Sequence, residues 1–455
     1  MEFLKDIAIP QSLEHFRLLV LMTTLSSIVF LPYLGFVAGS SFLSLLYHHR
    51  GSRDKNAVFI RFAHELIDRA LFSKSLIVFL AILPGLSLVF AYAQILHGTP
   101  STGASLAGFG FLFLLAGMVL LYSYKYTFRV QVILGSYELL LHNQPNDQSQ
   151  QALAAYQDSN TKAHLRSGRY GIFFLCLALI LYASAMSVLS NPRAWDLDSV
   201  SLLILSPDIV LKIAEIIFLS IGITGIGILF FSFAWGNRKE YSEEYSSLAK
   251  KIGIRFSIMG LLGLPASVVL STAVISDEAL SGSIYLFASA AVIFLFLSAH
   301  FIYGYFRSPQ PIALTVGFTM FLFAAGLLVI GDNLAVGTAT RSQAAFLANI
   351  HDQSMEQLKT TFGMITVSFT GEGIYNTRCE SCHLFDKKKV GPPYYETIPK
   401  YQGKKTDLIS FILHPVKKNP DYPPMQNPGL QQAEADSIAS YILRRVALSS
   451  PGGTR

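Results

Sequence analysis

Residues 283–306 read SIYLFASAAVIFLFLSAHFIYGYF, a run that contains no Asp, Glu, Lys or Arg. About 20 residues of this character cross the hydrocarbon core of a bilayer, and a helix satisfies all their backbone groups there. The stretch therefore predicts a membrane-spanning helix. Seven more stretches of similar length and polarity lie near residues 18–46, 75–97, 106–134, 170–190, 209–235, 254–275 and 312–336. Composition agrees, with 52% of the 455 residues hydrophobic and 14% charged, where soluble domains carry about 25% charged residues. The expected fold is all-α: a polytopic transmembrane helix bundle of about eight spans over residues 1–336, a helical linker over 337–370 and a small all-α domain over 371–455. Pro32, Pro84 and Pro265 fall inside spans and are expected to kink them.

Lys and Arg accumulate in cytoplasmic loops, so the loops orient the bundle. The first carries Arg50, Arg53, Lys55, Arg61, Arg69 and Lys74, while the second, Gly98 to Ser105, has no charge. The third has Arg129, Lys162, Arg166 and Arg169, and the fifth has Arg238, Lys239, Lys250, Lys251 and Arg255. Acids dominate the fourth and sixth through Asp196, Asp198, Asp208, Asp277 and Glu278. Both termini are thus expected outside. The net charge of +6 follows from this loop bias and calls for no nucleic-acid surface, of which the chain shows no motif. Met1–Phe16, with Glu2, Lys5, Asp6 and Glu14, lacks a small-residue cleavage pattern and is expected to stay, lying along the outer interface.

An ionisable residue inside a span is costly and is a functional candidate by default. Glu215 is one, and Lys212, three residues earlier, shares its helix face and can pair with it. The pair reads either as structural or as a quinone or proton site. The histidines read as interfacial: His97 and His300 near span ends, His48, His49, His64, His142 and His164 in or beside inner loops, and His15 ahead of the first span. No pair of them is expected at membrane depth to hold a haem. Cys176 reads as packing.

Beyond the spans the chain turns polar, with a helical pattern through Gln343, Leu347, Ile350, Met355 and Leu358 that reads as the linker raising the last domain off the membrane. Then comes Cys379-Glu380-Ser381-Cys382-His383. C-x-x-C-H is the attachment site of a c-type haem, whose vinyl groups take the two thiols and whose iron takes the adjacent imidazole. One covalent haem c is expected, on Cys379 and Cys382, with His383 as an iron ligand. Such haems are attached outside the cytoplasm, which agrees with the loop charges.

Residues 371–446 resemble a class I cytochrome c domain. The resemblance rests on the short helix Gly371–Asn376, the C-x-x-C-H motif, the bend Val390-Gly391-Pro392, and Tyr422-Pro423-Pro424-Met425-Gln426-Asn427-Pro428-Gly429-Leu430, which is similar to that family's axial-methionine loop. It implies Met425 as the second iron ligand; His414 is the other candidate. A thioether favours ferrous iron and raises the potential. It also implies that the last helix, Ala433 to Val446, packs near the first.

Residues 17–280 resemble subunit I of the cytochrome bd quinol oxidases. The likeness lies in Arg17-Leu18 leading to Phe30-Leu31-Pro32, then Asn191-Pro192, Ser206-Pro207 with Lys212, and Asp277-Glu278, in that order and spacing. Where that family has haem-ligating histidines this chain has Ser27 and Glu215, and its acidic pair falls at Ala107 and Leu115. The resemblance therefore implies a bundle without oxygen-reducing equipment.

Together these features imply a membrane-anchored monohaem c-type cytochrome, an electron-transfer subunit of a respiratory or photosynthetic complex in a bacterial inner membrane. It would work between a quinol-oxidising partner and a periplasmic acceptor. Implied partners are other membrane subunits, a redox protein docking near the haem, and quinone. Lys387, Lys388, Lys389, Lys404, Lys405, Lys417 and Lys418 offer a basic rim to an acidic partner. The alternative is an enzyme, a quinol oxidase or quinol:cytochrome c reductase with its own site in the bundle. A transporter with a redox domain has only the span count behind it.

Overall fold

The computed structural model describes residues 11–141, 147–195, 205–235, 241–361, 370–420 and 422–449. Glu2, Lys5, Asp6, His142, Asp196, Asp198, Arg238 and Lys239 lie outside the described residues. Among the described residues there is no strand, and eight helices are long and apolar enough to cross a membrane. The helices are α1 (Leu13–Arg53), α2 (Ala57–Ala70), α3 (Lys74–Ile95), α4 (Gly103–Leu141), α5 (Asp147–Ser190), α6 (Pro207–Phe233), α7 (Glu243–Val274), α8 (Gly282–Arg307), α9 (Pro311–Ala339), α10 (Arg341–Thr361), α11 (Gly371–Ile374), α12 (Tyr394–Thr397), α13 (Lys405–Leu413) and α14 (Gln432–Ser449). The chain divides into two compact units. Residues 22–92 and 100–336 form one; residues 93–99, the chain through Leu21, and everything from Gly337 onward form the other.

In the first unit α4 packs along α5 and α6 along α7. Small residues allow the second pair to approach closely: a Cβ on Gly260 would collide with the backbone of Gly222. Backbones this close gain dispersion contacts that longer side chains would forbid. Burial separates the helices by role. In α6, 72% of the most apolar window is buried, against 22% in α8, so α6 is central and α8 peripheral. Leu286, Ile293 and Phe296 of α8 are exposed apolar side chains, as a lipid-facing surface requires.

Three local features depart from the sequence reading. The first loop holds its own helix, α2, started by Asn56, whose side chain accepts from the backbone N–H groups of Val58 and Phe59. Its apolar stripe, Phe62, Leu66 and Ile67 among others, is buried. In α3 a π turn at Val78–Ile82 precedes Pro84 and absorbs the ladder break that a missing N–H imposes, while Pro32 and Pro265 lie inside α1 and α7. Finally, α5 begins at Asp147 rather than near 170, because the polar residues before the span, rich in Gln and Ala, are good helix formers.

In the second unit the C-terminal helices surround a small core that includes Ile374, Tyr375, Phe385, Leu408, Ile438 and Ile442. As the resemblance implied, the last helix packs on the first: α14 lies against α11, and a Cβ on Gly371 would meet Ser437 and Tyr441. Helix α10 belongs to this same unit.

Candidate functional site

A π turn, Tyr375–Cys379, continues α11 and ends on the first thiol. The backbone then folds back tightly, with the N–H groups of Cys382 and His383 both donating to the Cys379 carbonyl at 3.1 and 2.8 Å. The Cys382 carbonyl in turn accepts from Val390 and Gly391 at 3.1 and 2.8 Å. This doubled chain sets the imidazole of His383 directly beside Gly391. There is no room for a side chain at 391, because a Cβ would overlap the ring. Nδ1 of His383 lies 3.1 Å from the Pro392 carbonyl. A carbonyl only accepts, so Nδ1 carries the proton and Nε2 keeps its lone pair for a metal. Tyr375 donates to the His383 carbonyl at 3.1 Å, and Tyr394 stacks on the imidazole with ring centroids 5.0 Å apart.

These groups open onto a crevice. Cys379, Cys382 and His383 line one side, and Pro423–Pro428, with Met425 among them, line another. All four residues singled out in the sequence thus share one cavity. His414, at the exposed end of α13, is not among its lining residues. Burial pushes the Cys379 thiol up to about 12 and raises Cys382, so neither is a stabilised thiolate of the kind that drives disulfide exchange at a C-x-x-C. Burial lowers His383, which keeps it neutral. Two neutral thiols, a neutral imidazole with its tautomer fixed and a thioether, around a largely apolar crevice, fit a covalent haem.

A family model described as Cytochrome c matches residues 369–445. Cytochrome c-552 of Hydrogenobacter thermophilus is 31% identical over 91 residues, covering 19% of this chain and 92% of that protein. Cytochrome c-551 of Azotobacter vinelandii is 35% identical over 79 residues, or 16% of this chain and 95% of that protein. The chain belongs to the cytochrome c family. Its function is electron transfer, and its cofactor is covalent haem c. Cytochrome c-551 of Pseudomonas denitrificans gives a similar match, 32% over 79 residues, again 16% of this chain and 95% of that protein. No solved structure matches the chain. The matches of this cytochrome c fall on the C-terminal domain, and the eight long apolar helices among the described residues make it a membrane protein.

Inside the bundle the Lys212–Glu215 pair forms, at 2.9 Å, and has a further member that sequence reading missed. Asp332, on α9, lies 2.6 Å from the same ammonium. An acid within an otherwise apolar span was the available signal, but which cation it meets, 120 positions away, depends on packing. A cavity borders Lys212 and Asp332, and Asp208 lines it too, accepting from Ser187 and Asn191. Ser27 and Ala107 are buried. Three histidines read as separate loop residues are brought together: His48, His64 and His164 gather around Phe128, with the rings of His48 and His164 4.6 Å apart. Those two rings touch each other and leave no gap between them for a planar cofactor.

Proposed function

We propose that this chain is the membrane-anchored monohaem subunit of a respiratory or photosynthetic complex, passing single electrons from a quinol-oxidising partner to a periplasmic acceptor. When bound, the haem supplies one-electron exchange at its iron. Cys379 and Cys382 would hold it through thioethers, and His383 through Nε2 and Met425 through its sulfur would be the ligands to its iron. The observation that carries this is the hydrogen bond from His383 Nδ1 to Pro392, facing a crevice that also contains Met425. The helical domain is then an oxidase-like scaffold of the cytochrome bd type that has lost its haem ligands, lying in a bacterial inner membrane with the haem domain on the periplasmic side. The loop charges support that orientation, and the pairing of Glu215 with Lys212 supports a structural use of a former ligand position.

A second reading, supported by the polar cavity at Asp208, Lys212 and Asp332, is that the bundle itself oxidises quinol. Stopped-flow reduction of the ferric haem by a quinol, with the purified chain alone and with the native complex, separates the two. Reduction that needs the complex supports the subunit reading. Equally fast reduction of the isolated chain overturns it in favour of the enzyme.

A further inference from the structure

The segment that matches the cytochrome c family does not close its own crevice. Ser342, Ala345, Phe346 and Asn349 also line it, and all four stand on α10, before the matched residues begin. Their spacing of i, i+3, i+4 and i+7 puts them on one face of the helix. Contacts fix that face in place. The Arg378 side chain, only 6% exposed and next in sequence to Cys379, donates to the Asn349 carbonyl at 2.5 Å and approaches Asp352 at 3.6 Å. Gln353 presses on Gly429, just past the Met425 loop, where a Cβ would come within 2.5 Å of its Nε2. On another side Gln343 donates to the His97 carbonyl at 2.7 Å, and Phe346 approaches the turn at Gly98.

Asn349 adds a chemical signal. It is 3% exposed, lines the crevice, and its Oδ1 has no hydrogen-bond partner among the described residues. A buried amide oxygen without a donor is unfavourable, and a half-turn of the amide exchanges it for the nitrogen, a donor. The haem carboxylates and the thioether of Met425 are both acceptors. Turned that way, the amide can donate to an acceptor on a molecule that fills the crevice.

We infer that α10 is part of the haem site: Ala345 and Phe346 cover the haem on the side that the matched segment leaves open, and Asn349 supplies it with a polar contact. The inference rests on the functional reading above. Its consequence is that this side of the crevice is closed to soluble redox proteins, so electron exchange there runs through α10 and the 96–99 turn.

The test uses the full chain in detergent, after covalent haem has been established from its pyridine spectrum. Amide hydrogen exchange over residues 341–361 is compared between loaded wild type and a haem-free Cys379→Ala/Cys382→Ala variant; loss of haem should speed exchange about ten-fold or more. Oxidation of the ferrous haem by ferricyanide should become about ten-fold faster in Phe346→Ala and stay close to wild type in Phe346→Leu, which preserves the cover. A loaded wild type whose α10 exchange is indifferent to haem, or whose oxidation rate moves less than about two-fold in Phe346→Ala, overturns the inference alone. A wild type without covalent haem overturns the functional reading and takes the inference with it.

Discussion

Position 391 needs glycine for steric reasons, since the backbone there touches the imidazole of His383, the proposed iron ligand. Gly391→Ala should push the ring of His383 off the Pro392 carbonyl and cost about 1–3 kcal/mol through overpacking. The expected readout is a large fall in covalent haem per chain; normal loading with an unshifted spectrum would contradict it. Met425→Ala should leave the haem attached through both thioethers while removing the methionine-to-iron charge-transfer band and lowering the reduction potential. An unchanged spectrum would move the ligand elsewhere, and His414, exposed and away from the crevice lining, is a poor substitute. That Cys379, Cys382, His383 and Met425 belong together was legible in the sequence, because the C-x-x-C-H motif has a fixed spacing and the methionine sits in a proline-bounded loop. Asn349 and Asp332 were not. Asn349 lines a crevice with Cys379, and Asp332 pairs with Lys212; both meet distant parts of the chain, and such encounters are settled by packing rather than spacing.

Among the elements, α2 shows how a loop becomes structure: its buried stripe seats it, and its charged side binds neighbours. Asp68 lies 3.0 Å from Lys125 and 2.8 Å from Arg129 of α4. Partial burial works to raise its carboxyl, but the two cations prevail and hold it below the usual range. A carboxyl depressed in the fold stabilises it above the unfolded pKa of about 3.9, and that contribution is lost as pH falls through the folded value. Because Asp68 is 37% exposed, solvent screening limits the effect of Asp68→Asn to about 1 kcal/mol or less. Thermal unfolding in detergent should show that difference at neutral pH and its disappearance in acid; a constant difference would refute the assignment. The haem domain carries charge differently. Of the seven lysines of the basic rim, Lys389 donates to the Glu380 carbonyl, Lys405 pairs with Asp436 at 2.7 Å, and Lys418 donates to Tyr401. Lys387, Lys388, Lys404 and Lys417 remain exposed and are the charges proposed to steer a partner. Electron transfer to an acidic partner should slow as salt rises, since exposed charges are screened over about 8 Å at physiological ionic strength. Lys387→Glu/Lys388→Glu should slow association more than Lys405→Gln. A rate flat with salt would remove the steering.

For the whole molecule, the eight spans were legible because lipid imposes one rule, long apolar helices, on every crossing. Their extensions were not, since beyond the bilayer α4 and α5 obey ordinary helix propensity and tertiary packing. The same distinction bears on whether the bundle is scaffold or enzyme. Ser27 and Glu215 stand at the positions where the resemblance places histidines, and the rings of His48 and His164 are in mutual contact, so neither arrangement is built to hold a haem b. The purified chain should therefore yield one haem of c type, which stays with the protein through acid acetone. Extractable haem b in equal amount would sink the scaffold reading. If haem b is absent, the ion cluster becomes the deciding place. Lys212 sits between two carboxylates, so Lys212→Met strands both acids without a cation and should cost about 3–5 kcal/mol, seen as lost yield and a lower unfolding temperature. Glu215→Gln leaves Lys212 paired with Asp332, a neutral couple, and should be far milder. That difference makes Glu215→Gln informative about chemistry. If it assembles with full haem and the native complex still delivers electrons from quinol at the wild-type rate, Glu215 is structural. If haem and assembly are intact but quinol oxidation stops, the reaction takes place inside the bundle and the chain is the enzyme.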